Sequence, residues 1–200
     1  MTTPASPPRR SECTRRTAET TITGSLVIDG SGKASVNTGV GFLDHMLTAL
    51  ACHGGMDLTL ECAGDLDVDD HHTVEDCAIV LGTLLNDCLG DRRAINRFGH
   101  AYAPLDESLA RAVVDLATRP SATIDLGLRR EKLGELSCEN APHFFATLSS
   151  YGRFCLHLDV LRGINDHHRL EAAFKAFSLA LKHAVRLTSA EAPASTKGVL

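Results

Sequence analysis

The segment DVDDHHTVEDCAIVLG, residues 67–82, decides the fold because its central pattern occurs twice in the chain. Residues 165–185, NDHHRLEAAFKAFSLALKHAV, repeat the pattern D-H-H-x-x-E and likewise run into an amphipathic helical pattern. The residues that align at one constant offset are His71 with His167, His72 with His168 and Glu75 with Glu171. This repetition indicates an internal duplication.

The elements around the two histidine pairs follow the same order in both halves. Each half has a lone histidine, His45 or His143, that opens a short predicted helix. A predicted strand follows, MDLTLEC (56–62) or FCLHLDV (154–160), and then a loop containing aspartate leads to the long helix of the histidine pair. This order predicts an α+β protein with an internal duplication, in which each half is a small sheet packed on helices.

Three further segments predict strands. TTITGSLVIDGSG (20–32) alternates and closes in a glycine-rich turn, as a strand and hairpin would. ESLARAVVDLA (107–117) and SATIDLGL (121–128) are best interpreted as strands of the second half, although the period of the first also allows a helix.

Composition excludes several classes of protein. The 200 residues are 44% hydrophobic, which is enough for a core, and a net charge of -5 predicts no basic face for nucleic acid. No apolar run approaches the roughly 18 residues that a membrane span needs, so we expect a cytoplasmic protein. The seven cysteines are odd in number and contain no C-x-x-C pair, which favours reduced, buried thiols.

The chain is expected to begin with a tail. Residues 1–15 are rich in Pro, Ser, Thr and Arg, so a disordered tail is predicted, with a transit peptide or a basic tether as the alternatives. The two halves are predicted to span residues 16–104 and 105–200.

Helix geometry turns the H-H-x-x-E pattern into a prediction of metal binding. Residues four apart share one helix face, so His71 with Glu75, and His167 with Glu171, can each hold one cation. The second histidine of each pair is rotated by about 100° and must point elsewhere. Two metals are therefore implied, and six histidines with two glutamates provide four ligands for each. A six-coordinate ion would keep open positions, which suggests catalysis.

Each histidine can have either a structural role or a role as a metal ligand. One exposed histidine at a helix start is usually a polar surface residue, but two matched pairs with a lone upstream histidine favour metal binding. The familiar metalloprotease patterns do not fit, because Asp76 stands where H-x-x-E-H requires a second histidine. The histidines without a repeated partner, for which the structural role is preferred, are His53, His100, His157 and His183.

Several motifs together carry a family resemblance. They are TGVGFLDHML, GDLDVDDHHTVEDCAIVLG, RFG, PLDESLA, NDHHRLEAAFKA and the terminal STKG. From about Arg16 to Leu200 the chain resembles imidazoleglycerol-phosphate dehydratase, a hydro-lyase family of histidine biosynthesis. The resemblance implies a duplicated fold of the ribosomal protein S5 domain 2-like type, two manganese ions per active site, and a homo-oligomer of 24 subunits. Ala194 stands where the family commonly has proline.

The resemblance also implies a role for individual residues. It assigns one metal to His45, His72, His167 and Glu171, and the other to His71, Glu75, His143 and His168. It marks Glu19 as an active-site carboxylate in contact with substrate. It assigns the substrate phosphate to Arg97, Arg119, Ser195, Thr196 and Lys197, and guanidinium and ammonium groups suit a phosphate dianion.

The implied reaction converts imidazoleglycerol phosphate to imidazole-acetol phosphate. If both ring nitrogens bind cations, the imidazole can become an imidazolate that expels the hydroxyl, and the resulting diazafulvene acidifies the neighbouring C–H. Glu19 and Glu171 are the candidate acid and base, and their order stays open. Manganese follows from the resemblance, because affinity alone would favour zinc or copper.

Two rival functions are weighed. One is a non-catalytic protein whose metals are stored or join subunits, and the other is a different metal-dependent lyase or hydrolase acting on a phosphate ester. Glu19 and the basic set of Arg97, Arg119 and Lys197 favour an enzyme over the first rival. Because His71 and His72 leave one helix in different directions, we also expect active sites shared between subunits.

Overall fold

The computed structural model describes residues 9–189, 192 and 194–197. Within these residues no helix is both long enough and apolar enough to cross a membrane. The elements of the first half are β1 (Arg10–Arg16), β2 (Thr20–Val27), β3 (Ala34–Asn37), α1 (Gly41–Gly54), β4 (Asp57–Gly64) and α2 (His71–Leu89).

The second half repeats this order with one insertion. Its elements are β5 (Phe98–Leu105), β6 (Ser108–Asp115), β7 (Ser121–Asp125), β8 (Lys132–Leu133), β9 (Leu136–Ser137), α3 (Asn140–Gly152), β10 (Cys155–Arg162) and α4 (Asp166–Ala184). The short pair β8–β9 is the insertion, and it lies between β7 and α3.

The two main sheets have equivalent topology. The strand orders are β1-β2-β4-β3 and β5-β6-β10-β7, and in each sheet only the last strand, β3 or β7, pairs in parallel. The duplicated α+β fold predicted from the histidine repeat is therefore confirmed. The strands predicted at 107–117 and 121–128 are confirmed as β6 and β7, so the helical alternative for the first of them is excluded.

The helices join the halves by a crossed arrangement. α2 packs on β1 and β2, and α4 packs on β5 and β6. In addition, α1 of the first half packs on α4 of the second, and α3 of the second half packs on α2 of the first. Each long helix with a histidine pair therefore lies beside the lone-histidine helix of the other half.

The predicted disordered tail is wrong for residues 10–15. These residues form most of β1, which is an edge strand along β2. The strand was missed because its composition is polar: two of the three side chains on its half-buried face, Ser11 and Arg15, are polar and find partners on α2. Arg15 pairs with Asp76 at 2.9 Å, and the hydroxyl of Ser11 donates to Asp87 at 3.4 Å. Residues 1–8 lie outside the described part of the chain.

Two other details differ from the predictions. The glycine-rich turn after β2 does not close a hairpin, because the next strand, β3, pairs with β4 instead. The hairpin is instead formed by β1 and β2. It was not predicted, because residues 1–15 were assigned to a disordered tail. The second sheet also begins at Phe98, before the predicted boundary at residue 105, since β5 pairs with β6.

All seven cysteines are free, as predicted, but not all are buried. Cys77, Cys88 and Cys138 are buried, whereas Cys52 is exposed on the last turns of α1. Burial is the main cause that raises the pKa of the Cys88 thiol to about 11, so this thiol stays protonated at neutral pH.

Candidate metal centres and active site

The first candidate centre combines α1 with α4. Nε2 of His45 and Nε2 of His167 lie 3.1 Å and 3.2 Å from the same oxygen, Oε2 of Glu171. One ligand atom from each of the three residues falls within 4.8 Å of the others. Phe42 packs edge-on against both imidazole rings and forms an apolar wall beside them. We call this set triad 1.

The second candidate centre combines α2 with α3 and repeats the first. Nε2 of His143 lies 3.1 Å from Oε1 of Glu75, and the rings of His71 and His143 are stacked with centroids 4.9 Å apart. The ligand atoms of His71, Glu75 and His143 also fall within 4.8 Å of one another. We call this set triad 2. Each triad therefore joins the H-x-x-x-E face of one half to the lone histidine of the other.

Local sequence determines where the two long helices begin. Asn165 caps α4 by accepting the backbone N–H of His167. Directly before the histidine pair of α2, the buried carboxylate of Asp70 accepts the N–H and the hydroxyl of Ser137 at 2.7 Å each. Although burial opposes ionisation, these bonds lower the pKa of Asp70. Asp166 accepts the N–H groups of Arg129 and Arg130 in the equivalent place before His167.

The second histidine of each pair lies outside both triads. Nδ1 of His168 donates to Glu107 at 2.7 Å, and Nδ1 of His72 donates to Asp65 at 3.0 Å. These hydrogen bonds raise the pKa of both histidines above the usual value. The resemblance implies four ligands for each metal, and within one chain three of the four lie close together. The remaining one points elsewhere, as the rotation of about 100° between neighbours requires.

Glu171 is ionised by its surroundings. Burial favours the neutral acid, but hydrogen bonds from Lys175 and His45, together with the charge of Lys175, lower the pKa of Glu171 to about 2. The ammonium of Lys175 lies 2.7 Å from Oε1, which leaves Oε2 for the histidines of triad 1. A carboxylate held as an anion beside two imidazoles is suited to bind a divalent cation.

Glu19 lies in the turn between β1 and β2 and is exposed. Its Oε1 is 3.6 Å from Nε2 of His72, on the side of the ring opposite to the Asp65 hydrogen bond. The predicted active-site carboxylate is therefore next to a predicted ligand, but at the histidine that belongs to neither triad.

The residues predicted to bind phosphate line one open pocket of about 660 Å³. They are Arg97, Arg119, Ser195, Thr196 and Lys197. Arg97 is already engaged: it forms a bidentate pair with Asp115 at 2.7 and 3.0 Å, and it donates to the carbonyl of Ala194 at 2.6 Å. Arg119 and Lys197 are exposed, and no hydrogen bond from either side chain occurs within the described ranges.

Sequence reasoning missed four residues that contact the triads or the histidine pairs: Lys175, Asp65, Asn140 and Glu107. Lys175 was detectable, because it follows Glu171 by one helical turn. Asn140 accepts from Nδ1 of His71 at 2.9 Å, and no sequence signal pointed to it. The unrepeated histidines His53, His100, His157 and His183 belong to neither triad.

The donors of both triads fit a divalent cation. Each triad offers two imidazole nitrogens and one carboxylate oxygen, and three ligands leave coordination positions open. In both triads the histidine nitrogen that lies beside the carboxylate is Nε2. The hydrogen bond to Asn140 likewise leaves Nε2 of His71 for a metal.

Comparison with known proteins identifies the family. A family model described as imidazoleglycerol-phosphate dehydratase matches residues 38–181. Proteins with that name from Kluyveromyces lactis and Candida glabrata are 55% and 56% identical to this chain. Each alignment covers 90% of this chain, and they cover 78% and 86% of those relatives.

Solved structures agree with the sequence relatives. The crystal structure of imidazoleglycerol-phosphate dehydratase from Staphylococcus aureus is 40% identical, with a TM-score of 0.81 over 90% of this chain and 99% of that one. The structure from Pyrococcus furiosus is 35% identical, with a TM-score of 0.81 over 94% of this chain and 100% of that one. Together with the family model, these similarities show that the chain belongs to the imidazoleglycerol-phosphate dehydratase family, whose members are hydro-lyases.

Proposed function

We propose that this protein dehydrates imidazoleglycerol phosphate to imidazole-acetol phosphate in histidine biosynthesis, in the cytoplasm, and that it needs two Mn²⁺ ions per active site. The observation that carries the proposal is the pair of matched triads, each built from two histidines and one glutamate of different halves. Family membership supplies the substrate. The donor set supports a divalent cation, and manganese follows from the family resemblance.

The fourth ligand of each metal would come from another subunit. His72 and His168 are held at Nδ1 by Asp65 and Glu107, so their Nε2 atoms point away from those carboxylates. The carboxylates nearest to these Nε2 atoms, Glu19 and Asp106, lie 3.6 and 3.9 Å away, beyond hydrogen-bond distance. Neither ring belongs to a triad of its own chain. These observations support active sites shared between subunits, and an oligomer of 24 is the assembly that the family resemblance implies.

The metals would stabilise negative charge on the substrate imidazole, which makes loss of the neighbouring hydroxyl possible. The residues of the chain provide proton transfer and orientation. Glu171 would enter the reaction as an anion, because its pKa is about 2, and an anionic carboxylate is suited to bind a metal. It is also one of the two carboxylates proposed for proton transfer. Glu19 is the second carboxylate proposed for proton transfer, and its exposed position 3.6 Å from Nε2 of His72, a proposed metal ligand, supports this role.

The phosphate would bind in the pocket between β5 and the C-terminal segment. Arg119 and Lys197 offer unused cationic donors there, and Ser195 and Thr196 offer hydroxyls. Arg97 contributes less directly, since its pair with Asp115 and its bond to Ala194 hold the C-terminal segment against the pocket.

A storage or subunit-joining metal protein remains the rival function. Such a protein needs the triads, but it needs neither a carboxylate at the shared site nor a pocket with several cationic and hydroxyl donors. The grouping of five predicted phosphate ligands in one pocket therefore favours the enzyme.

The direct test is to incubate the purified, manganese-loaded protein with imidazoleglycerol phosphate and measure the ketone product. Metal-free protein should be inactive and should recover when Mn²⁺ is returned. A second substrate without the phosphate group should react poorly, because it cannot use the pocket. Tight metal binding without turnover of imidazoleglycerol phosphate would support the rival function.

A further inference from the structure

In the order of the chain, Glu107 is the counterpart of Glu19 in the second half. Glu19 directly precedes β2 in the β1–β2 turn, and Glu107 directly precedes β6 in the β5–β6 turn. Each of them lies beside the second histidine of a pair: Glu19 beside His72, and Glu107 beside His168. The duplication has therefore given both of these histidines a carboxylate from an equivalent turn.

The two carboxylates face different ring nitrogens. Oε2 of Glu107 accepts from Nδ1 of His168 at 2.7 Å, which leaves Nε2 as the potential metal ligand. Oε1 of Glu19 instead faces Nε2 of His72 at 3.6 Å, because Asp65 already holds Nδ1 of that ring. Glu107 thus shares the position of Asp65, behind the ring, and not that of Glu19.

Glu107 is itself locked in place. Its other oxygen, Oε1, accepts the backbone N–H groups of Ile164 and Asn165 at 3.0 and 2.9 Å, just before α4 begins. These bonds, together with the one from His168, occupy both oxygens of the carboxylate. Both carboxylate oxygens therefore act as acceptors, so Nδ1 of His168 has to be the donor.

We propose that Glu107 is a positioning residue that holds His168 in the Nδ1–H tautomer, so that Nε2 presents its lone pair to a metal. This role rests on the proposed function, in which His168 is a ligand. Histidine ligands generally donate their other ring N–H to a carboxylate or carbonyl, which determines both the tautomer and the ring orientation.

Replacing Glu107 with glutamine isolates this role, because the side chain keeps its size. The amide has only one acceptor oxygen, and the N–H groups of Ile164 and Asn165 both require it. The amide NH₂ must then face Nδ1 of His168. A donor at that position favours the Nε2–H tautomer, which has no lone pair for a metal at Nε2.

Asp65→Asn is the contrasting variant. Among the described residues, the carboxylate of Asp65 forms hydrogen bonds only with Nδ1 of His72. Neither carboxylate oxygen of Asp65 accepts a backbone N–H within these residues. The asparagine amide can therefore turn its oxygen toward the ring and keep the tautomer. Glu12→Gln, on the exposed side of β1, controls for the substitution of glutamate by glutamine.

Equilibrium dialysis of the full-length protein against Mn²⁺, followed by metal analysis, tests the role. Glu107→Gln should weaken binding about 10- to 100-fold at one of the two sites. Asp65→Asn should reduce the affinity for Mn²⁺ by a smaller factor, and Glu12→Gln should bind Mn²⁺ as tightly as the unaltered protein. Equal affinity of Glu107→Gln and the unaltered protein would overturn the role of Glu107 while leaving the proposed function intact. If the unaltered protein bound no divalent ion, the proposed function would fail as well.

Thermal unfolding separates positioning from simple capping of α4. Metal-free Glu107→Gln should unfold at the same temperature as the metal-free unaltered protein, whereas the rise in Tm on adding Mn²⁺ should be smaller. The opposite pattern, a lower metal-free Tm with an unchanged rise, would show that Glu107 only caps the helix and would overturn the proposal.

Discussion

At the triads, the residues that contact a side chain determine its charge. Glu171 shows this most clearly, since one carboxylate contacts His45, His167 and Lys175 at the same time. The lysine neutralises one oxygen, and the two imidazoles approach the other. The residue is therefore an anion before any metal or substrate arrives, as its pKa of about 2 requires.

Glu171→Gln should lower kcat by about 100-fold or more at saturating Mn²⁺, because the variant loses an anionic ligand and a base. It also leaves Lys175 without its carboxylate partner. Steady-state kinetics over a range of Mn²⁺ concentrations would measure the effect. Glu61→Gln, at an exposed position on β4, is the matched control. Near-normal turnover of Glu171→Gln at saturating Mn²⁺ would rule out both roles.

If the pocket lined by Arg119 and Lys197 binds the substrate phosphate, substitutions there should change KM rather than kcat. Lys197→Ala and Arg119→Ala should each raise KM, since a charge-assisted hydrogen bond contributes about 1.5–3 kcal/mol. Arg97→Ala should raise KM as well, but it also breaks the pair with Asp115, so its stability has to be measured alongside. Unchanged KM in the Lys197 and Arg119 variants would place the phosphate in another part of the molecule.

At the scale of elements, the distance between α2 and α3 determines the geometry of triad 2. Gly82 lies on α2 where the two helices cross. A Cβ added there would come within 2.8 Å of Cβ of Tyr151, 2.9 Å of the Gly152 nitrogen and 3.0 Å of the Leu148 oxygen. Two of these three atoms belong to the backbone, so they cannot move aside easily.

Gly82→Ala should destabilise the protein even though alanine is the better helix former. Glycine costs a helix about 1 kcal/mol, but forcing α2 and α3 apart should cost about 1–3 kcal/mol more than that gain. Urea denaturation of the metal-free protein would measure the net loss. Gly41→Ala is the matched control, because no atom lies within 4 Å of its added Cβ. A Gly82→Ala variant as stable as the unaltered protein would show that α2 and α3 can separate at little cost.

At the scale of the whole molecule, Arg92 links the halves. This buried residue follows α2 and donates to the carbonyls of Leu116, Gly152 and Arg153, all in the second half, and to Asn86 on α2. Burial is the main cause that lowers the pKa of Arg92 to about 10, and the side chain remains a cation at neutral pH. Sequence patterns gave no sign of this residue, since its partners are mostly backbone oxygens.

Arg92→Met should lower the free energy of unfolding by about 3 kcal/mol or more, because it leaves several buried carbonyls without a donor. Chemical denaturation would measure the change. Arg93→Met provides the control, since Arg93 is exposed and, among the described residues, its side chain pairs only with Asp91. A loss no larger than that of the control would mean that water replaces the guanidinium at these carbonyls.

Metal binding and assembly should be linked if active sites are shared between subunits. Exhaustive chelation should shrink the particle, and returning Mn²⁺ should restore it, because ligands from different chains join only through the ion. Size-exclusion chromatography with light scattering would follow the mass. A metal-free particle of full mass, or an isolated monomer that binds two ions tightly, would defeat the shared site but not the dehydratase assignment.

The sequence by itself was enough for the features that follow from the spacing within the repeated histidine pattern. The repeated H-H-x-x-E pattern predicted the duplication, and the helical period placed His71 with Glu75 and His167 with Glu171. The same helical period predicted that His72 and His168 point away from these two His–Glu pairs. The family resemblance added the residues predicted to bind phosphate, which line one pocket in the structure.

Only the tertiary structure decided the contacts between distant segments. The crossed packing of α1 on α4 and of α3 on α2 brings His45 to Glu171 and His143 to Glu75 within one chain. The tertiary structure also showed that residues 10–15 form an edge strand and that Glu107 accepts a hydrogen bond from Nδ1 of His168. Periodicity reports which face of an element is apolar. It does not report which element covers that face, because this depends on packing between residues far apart in the chain.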